Sequence, residues 1–185
     1  MKYELWYEII VRDRFGRVKS RKRRRSKSFL KQWNQLIYIQ FRGVAGGVTD
    51  TGGVARGTGP STNHFVMEGG AGGTAYGIRV GTGSTGVAID DYALETPIAE
   101  GTGGGQMEHG ACVAATSVLS APSAYFVVSR TMTNNSGGPI TVTEAAIYGR
   151  LGASWYCCLT REVFAGELVV NTDTITINWT IQVTA

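Results

Sequence analysis

The sequence predicts a mainly β protein, in which an antiparallel β-sandwich or jelly roll is preceded by a basic β-hairpin and one amphipathic helix. Three observations indicate this fold. Short runs of alternating apolar and polar residues recur between turn residues from position 64 onward. The first 42 residues carry a strand pattern, a turn, a second strand pattern and a helical pattern in succession. No repeat of about 20 to 50 residues recurs, which argues against a solenoid.

Composition divides the chain into three predicted segments: a basic hairpin plus helix that anchors the protein (1–42), a Gly/Ser/Thr-rich connection (43–63) and the β-sandwich domain (64–185). Residues 1–42 hold 13 of the 18 Lys and Arg and 3 acids, a charge of +10. The rest holds 5 basic and 11 acidic residues, a charge of −6, and the two add up to +4. Such a division predicts two surfaces with different partners.

The predicted hairpin begins with residues 3–11, whose alternate positions are apolar. The segment 13–16 (DRFG) predicts a tight turn. A turn centred on Arg14 and Phe15 makes opposed residue numbers add up to 29. This register pairs Glu8 with Arg21, Trp6 with Arg23, and Glu4 with Arg25. Each pair of opposite charges would stabilise the hairpin by about 0.2–1 kcal/mol.

The second strand of the hairpin is the candidate binding site, because cations occupy every second position. These candidate partner-binding residues are Arg17, Lys19, Arg21, Arg23, Arg25 and Lys27. On one face of a strand they would stand about 6.6 Å apart, which suits a row of phosphates or of acidic side chains. Three interpretations remain open: an acidic protein surface, which a second copy could supply, nucleic acid, or a solvated edge that prevents aggregation.

A helix is predicted from a cap at Ser28 through about Phe41, with Gly43 as its stop. Its apolar stripe is Leu30, Trp33, Ile37 and Phe41, widened by Phe29 and Leu36. The helix would pack on the hairpin, the sandwich or another subunit.

Seven strands are predicted in the sandwich: 64–68, 74–80, 107–119, 124–134, 140–151, 154–163 and 174–184. In the last of them Ile175, Ile177, Trp179, Ile181 and Val183 alternate with polar residues and should point inward. The segment 134–139 (NNSGGP) predicts a hairpin turn between two strong strands.

The stretch 76–110 is rich in glycine but keeps ordered apolar positions, which a flexible linker would lack. This stretch therefore predicts ordered loops that lie flat against a neighbouring subunit.

Three blocks in this order carry a resemblance: GTGSTGVAIDDYALETPI, SRTMTNNSGGPITVTEAAIYG, and CLTREVF followed by INWTIQVT. They resemble a segment of virion structural proteins of tailed bacterial viruses, over roughly residues 76–185 with a looser match in the first 42. The resemblance implies a head decoration, neck or tail component and no active site.

Candidate chemistry elsewhere in the sequence is weak. Asp90, Asp91, Glu95 and Glu100 have no calcium-loop spacing, which favours a solvated or intersubunit acidic surface. The two histidines, His64 and His109, lack neighbours at zinc-ligand spacing, and no serine lies in a nucleophile elbow. We therefore expect no catalytic residue, no metal and no cofactor.

The compartment follows from two further observations. No run of about 18 apolar residues could span a membrane, and charges at Lys2, Glu4 and Glu8 argue against a signal peptide. Three cysteines of which two are adjacent predict buried free thiols and a reducing cytoplasm.

The leading hypothesis is a non-enzymatic virion component, made in the host cytoplasm, that forms homo-oligomers and binds other virion proteins. One alternative is a jelly-roll capsid subunit whose basic arm binds the packaged genome. Another is a carbohydrate-binding module for host attachment, with a stacking platform drawn from Tyr92, Tyr125, Tyr148, Trp155 and Trp179.

Overall fold

A computed structural model describes residues 2–26 and 28–185 of the protein. Its strands in chain order are β1 (Lys2–Arg12), β2 (Val18–Ser26), β3 (Gly46–Thr49), β4 (Ala55–Thr58), β5 (Gly77–Gly81), β6 (Glu108–Ala114), β7 (Val118–Ser120), β8 (Ser123–Thr133), β9 (Ile140–Leu151), β10 (Trp155–Val169) and β11 (Thr174–Thr184). The helix α1 (Lys31–Arg42) lies between β2 and β3. The protein is mainly β, as predicted.

The strands form two larger antiparallel sheets. One has six strands in the order β2-β1-β11-β8-β6, with β7 also paired to β8, and the other has the order β10-β9-β5. A separate two-stranded sheet, β3-β4, occupies part of the segment predicted as a Gly/Ser/Thr-rich connection. The two larger sheets enclose one hydrophobic core, which is the arrangement of a β-sandwich. The jelly-roll variant stays a prediction.

The core follows from strand alternation. In β11, Ile175, Ile177 and Trp179 are fully buried, which confirms the predicted inward face. In β1, Leu5 and Ile9 point to the same core. These alternate positions join the first and last strands into the wall of the sandwich.

The predicted division into an anchoring segment and a separate sandwich does not describe how the strands pair. β1 pairs with β11 along its whole length, from Lys2 opposite Thr184 to Arg12 opposite Thr174. The basic hairpin is therefore an extension of the six-stranded sheet, because the inward side chains of β1 complete the core that β11 begins.

The prediction of a hairpin at 134–139 is wrong. β8 pairs with β11 and β6, whereas β9 pairs with β10 and β5, so this turn carries the chain from one sheet to the other. Asn134 holds the crossing in place, since its Nδ2 donates to the carbonyl oxygens of Gly138 and Val169 at 2.8 and 2.7 Å. The turn residues were recognised correctly, but a turn motif does not specify which strands pair.

The helix begins and packs differently from the prediction. Leu30 is the N-cap residue, and the hydroxyl of Ser28 instead donates to Glu162 Oε1 at 2.6 Å. Gly43 adopts the predicted left-handed C-cap, and its N–H donates to the carbonyl of Ile39. The fully buried face of α1 is Gln32, Leu36 and Ile39.

The prediction of a strand at 64–68 is also wrong, because those residues form a turn and a loop.

The segment between β5 and β6 covers the outer face of the smaller sheet. Leu94 packs with Leu30, Tyr148 and Cys158 in a second apolar cluster. The Tyr148 hydroxyl accepts a hydrogen bond from the N–H of Leu94 at 2.7 Å. β9 is consequently buried on both faces for most of its length.

Candidate functional site: a cationic edge strand

The strand β2 forms one edge of the six-stranded sheet and pairs only with β1 among the described residues. The pairing extends from Leu5 opposite Ser26 to Arg12 opposite Val18. The candidate site is therefore a strand that is hydrogen-bonded along one edge and has no described strand paired to its other edge.

The register of this pair differs from the prediction by two residues. Opposed numbers add up to 31 through most of the ladder, so Glu8 lies opposite Arg23 and Trp6 lies opposite Arg25. One residue of the difference comes from a longer turn, in which Gly16 has a φ of +81° and the N–H of Asp13 donates to the carbonyl of Arg17. The other comes from an irregularity where Lys19 is inserted between the partners of Arg12 and Val11.

The predicted side-chain contacts nevertheless form, as diagonal contacts. Arg21 Nε donates to Glu8 Oε1 at 2.8 Å, and Arg25 lies 3.4 Å from Glu4 Oε1. The guanidinium of Arg23 stands over the ring of Trp6, 5.1 Å from its centre. Long side chains reach a diagonal neighbour about as well as a direct one. The outer face of the hairpin is thus a mixed row of arginines and glutamates around one tryptophan.

Electrostatics of this row favour ionised carboxylates. Partial burial raises the pKa of Glu8, but hydrogen bonds from Arg21 and Asn178 outweigh it, so that the pKa is lowered. The pKa of Glu4 is lowered chiefly by Lys2, with a further contribution from Arg25. The arginines stay accessible: the side chain of Arg21 is 66% exposed.

The opposite face of β2 contacts acidic residues of the rest of the chain. Lys22 Nζ lies 2.5 Å from Glu167 Oε1, and Ser20 donates to Glu167 Oε2 at 2.8 Å. Lys19 reaches Asp173 at 2.6 Å. The charge division along the sequence is therefore partly neutralised within one molecule, which the sequence alone could not indicate.

The six predicted residues separate into four groups. Arg21, Arg23 and Arg25 share the outer face. Arg17 belongs to the turn and pairs with Asp13, and Lys19 is directed to Asp173 by the irregularity. Lys27 lies outside the described residues. Sequence analysis did not assign Lys22 a role, although its even position in the alternating pattern placed it on the opposite face.

The four candidate acidic residues do not form a cation site. Asp91 Oδ2 lies 2.8 Å from Arg161 Nη1, and Glu95 Oε2 lies 3.7 Å from Arg161 Nη2. Glu100 Oε2 instead contacts His109 Nδ1 at 2.8 Å. In the described part of the chain no group of three or more His, Cys, Asp and Glu is placed to hold a metal ion.

A fully buried carboxylate, Glu144, organises the glycine-rich stretch. It accepts hydrogen bonds from the N–H groups of Gly83 at 3.1 Å and Thr96 at 2.8 Å, and from Arg161 Nε at 2.9 Å. Arg161 is itself buried. Sequence analysis missed both residues as a pair, because they lie on different strands and no local pattern brings them together.

The histidines are held inside the protein. The ring of His64 lies 3.1 Å from the Thr58 hydroxyl, and burial lowers its pKa. Burial also lowers the pKa of His109, although its contact with Glu100 opposes the shift. Neutral, enclosed imidazoles of this kind serve packing and hydrogen bonding.

The cysteines are buried free thiols, as predicted. Burial raises the pKa of Cys157 to about 12 and that of Cys158 well above its usual value. It also raises the pKa of Cys112. The thiols stay protonated near neutral pH, and a thiol is a poor nucleophile compared with a thiolate.

The aromatic platform proposed for a glycan ligand does not assemble. Trp179 is fully buried and Tyr148 is 5% exposed. Trp155 is 40% exposed, and the guanidinium of Arg56 lies over its ring, 4.9 Å from the ring centre.

A second surface feature lies beside α1. A groove of about 660 Å³ is lined mainly by apolar side chains, among them Tyr3, Phe29, Trp33, Ile37, Phe41 and Ile89. Phe41 is 87% exposed. All four residues of the predicted apolar stripe, together with Phe29, therefore line this groove, whereas Leu36 and Ile39 belong to the core.

Comparisons with protein-family models, with curated proteins and with solved structures each found no match. Within the described residues, no helix has the length and apolar character needed to cross a membrane.

Proposed function

We propose that this chain is a non-enzymatic structural component of a tailed-virus particle. It self-assembles and attaches to other virion proteins through its basic N-terminal hairpin and its glycine-rich loops. The proposal rests on the three sequence blocks that resemble virion structural proteins and on the surface described above.

The observation that carries the proposal is the edge strand β2. Its backbone is fixed along one side by β1, and its cations project from a sheet whose core includes Leu5 and Ile9. A charged row on such a support keeps its spacing, which is what a repeated contact between particle proteins requires. A flexible arm would lose conformational entropy each time it bound.

The groove beside α1 supports self-assembly. Exposed apolar side chains that line one continuous surface mark contact sites on many proteins. Tyr3 and Phe41 at this groove are each more than half exposed, at 67% and 87%.

The glycines of the stretch 76–110 would have two different roles. Gly77 and Gly83 lie against Cys112 and Glu144 of the same chain, so they serve internal packing. Gly86 and Gly104 have open space where a side chain would stand. These open positions are the ones available for flat contacts between subunits.

Three measurements test the proposal together. Sedimentation of the purified protein should give a mass that is a multiple of 19.8 kDa, and electron microscopy should image the assembly. Mass spectrometry of purified virus particles should detect the chain. A protein that stays monomeric at every concentration and is absent from the particles would overturn the proposal.

The same material separates the alternatives. Binding to nucleic acid that falls steeply with salt, and that is lost when Arg21, Arg23 and Arg25 are changed to Ser, would favour the genome-binding capsid subunit. Specific binding on a glycan array would favour the host-attachment module.

A further inference from the structure

The backbone of β2 offers an open edge. The strand has nine residues, contains no proline and pairs only with β1 among the described residues. An edge strand presents a row of unpaired N–H and C=O groups that can pair with an added strand. Strand addition is therefore the mode of binding that the geometry permits.

The side chains of β2 specify the charge of that strand. Arg21 engages Glu8 through Nε alone, and its two terminal nitrogens make no hydrogen bond to a described residue. A guanidinium has five N–H donors in a planar fork, so carboxylates on the far side can be accepted as well. Arg23 contacts the ring of Trp6 and forms no ion pair within the described residues.

The strand β1 shows the pattern that a partner should carry. It places Glu4 and Glu8 on one face, four residues apart, and each reaches an arginine of β2 diagonally. A strand added on the open side, with carboxylates at alternate positions, would meet Arg21, Arg23 and Arg25 with the same geometry.

The chain does not hold such a strand on its own free edges. In the described part of the chain, β3, β4, β5 and β7 contain no acidic residue, and β6 contains only Glu108. The two glutamates of β10 already contact β2: Glu162 accepts from Ser26, and Glu167 pairs with Lys22. A second copy of the chain therefore does not supply the partner.

The interleaved carboxylates also argue against nucleic acid. Phosphates laid along the arginines would approach Glu4 and Glu8, which are ionised at neutral pH because their pKa values are lowered. The negative phosphates and the negative carboxylates would repel each other at this close approach. The open backbone edge of β2 also favours a peptide, because a phosphate chain has no N–H and C=O groups that could pair with it.

We propose that β2 binds an extended acidic segment of another protein by strand addition, with carboxylates at alternate positions facing Arg21, Arg23 and Arg25. The inference rests on the proposed function, since it names the partner of the same basic strand.

A peptide series tests it by fluorescence anisotropy on the full-length protein. The probe is a labelled peptide as long as β2, nine residues, with alternating Thr and Glu. One control has the same composition with its glutamates in one block. The second control is a pair of peptides with N-methyl groups on alternate residues, so that each peptide has one of its two edges blocked. We expect the alternating peptide to bind about tenfold more tightly than the block control and than the peptide methylated on the edge that faces β2, a difference of about 1.4 kcal/mol. Methylation of the opposite edge should leave binding unchanged.

Protein variants locate the binding. Arg23→Glu and the milder Arg23→Gln should weaken the alternating peptide, whereas Arg14→Glu in the turn, where the guanidinium lies over Phe15 at 4.7 Å, should leave it unchanged. Circular dichroism checks that each variant is folded.

Three results would overturn the proposal. The block peptide could bind as tightly as the alternating peptide, which would indicate charge attraction alone. Both methylated peptides could bind as tightly as the unmethylated one, which would exclude backbone pairing. A single-stranded oligonucleotide could bind more tightly than the peptide and depend on Arg23, which would identify nucleic acid as the ligand.

The outcome also separates this proposal from the proposed function. Oligomers that form without any peptide binding would remove strand addition alone. Peptide binding by a protein that is absent from virus particles would remove the virion role alone.

Discussion

Glu8 accepts a hydrogen bond from Arg21 at 2.8 Å, although Arg23 is the residue that lies directly opposite it in the ladder. The diagonal contact follows from a turn and an irregularity that together add two residues to the hairpin. It leaves Arg23 over Trp6 and without a carboxylate of its own among the described residues. Arg23 is thus available to a partner because of the register between β1 and β2.

We predict that Glu8→Gln lowers the free energy of unfolding by about 0.5 kcal/mol at neutral pH, because Glu8 loses its ion pair with the solvent-accessible Arg21. The pKa of Glu8 is lowered from 4.5 in the folded protein, so the carboxylate stabilises it fully above that value. This contribution disappears as the pH falls through the folded pKa.

Urea denaturation of both proteins from neutral to acidic pH measures this difference, with Asp90→Asn as an exposed control. A constant difference across the whole range would contradict the assignment.

Arg161→Met should destabilise the protein by about 3–5 kcal/mol, because it leaves the fully buried Glu144 without its cation. Combining it with Glu144→Gln should recover part of the loss, since no buried charge then remains unpaired. Chemical denaturation gives both values. A loss in the single variant of under about 1 kcal/mol, the range of a solvent-exposed pair, would show that the cluster is not buried in solution.

Gly83→Ala should destabilise the protein by about 1–3 kcal/mol, because the added Cβ would stand 2.5 Å from Glu95 Cβ and 2.6 Å from Glu144 Oε1. Gly86→Ala is the matched control, because a Cβ there meets nothing within 4 Å. Thermal unfolding compares the two. Equal melting temperatures would indicate that the stretch around Gly83 is not held as described.

The three cysteines should not react with Ellman's reagent in the native protein and should all react in denaturant. Burial raises the pKa of each thiol, and the side chains are closed off from solvent. A spectrophotometric titration counts the thiols. Rapid reaction of the native protein would mean that the strands carrying Cys112 or Cys157 open readily.

Strands with clear alternation were predictable from sequence. β9 and β11 were predicted at 140–151 and 174–184, the bounds that the structure has. The reason is local: in β11 inward and outward side chains alternate over many residues, and β9, which is buried on both faces, is a long strand-forming run that begins directly after a cluster of turn residues. Shorter elements such as β3 and β4 were missed, because four residues of mixed composition carry little periodicity.

Pairing between distant segments was not predictable in the same way. The turn at 134–139 looked like a hairpin turn, and only the packing of two sheets makes it a crossing. The ion cluster of Arg161 and Glu144 depends on β9 and β10 lying side by side, which no local pattern specifies. At the candidate site, the alternating cations identified the arginines, and their contacts were predicted from a register that is two residues off, because the true register depends on one glycine turn and one inserted residue.

The pairing of β1 with β11 has a consequence for synthesis. β1 is synthesised before β11 and cannot take its place until residues 174–184 have left the ribosome, since β11 lies between β1 and β8. A contact that spans almost the whole sequence slows folding, because a large loop must close before any stabilisation is gained. A nascent chain interrupted before position 174 would leave β1 and β8 with unfilled edges, and chaperones or proteases would be the first proteins to meet them.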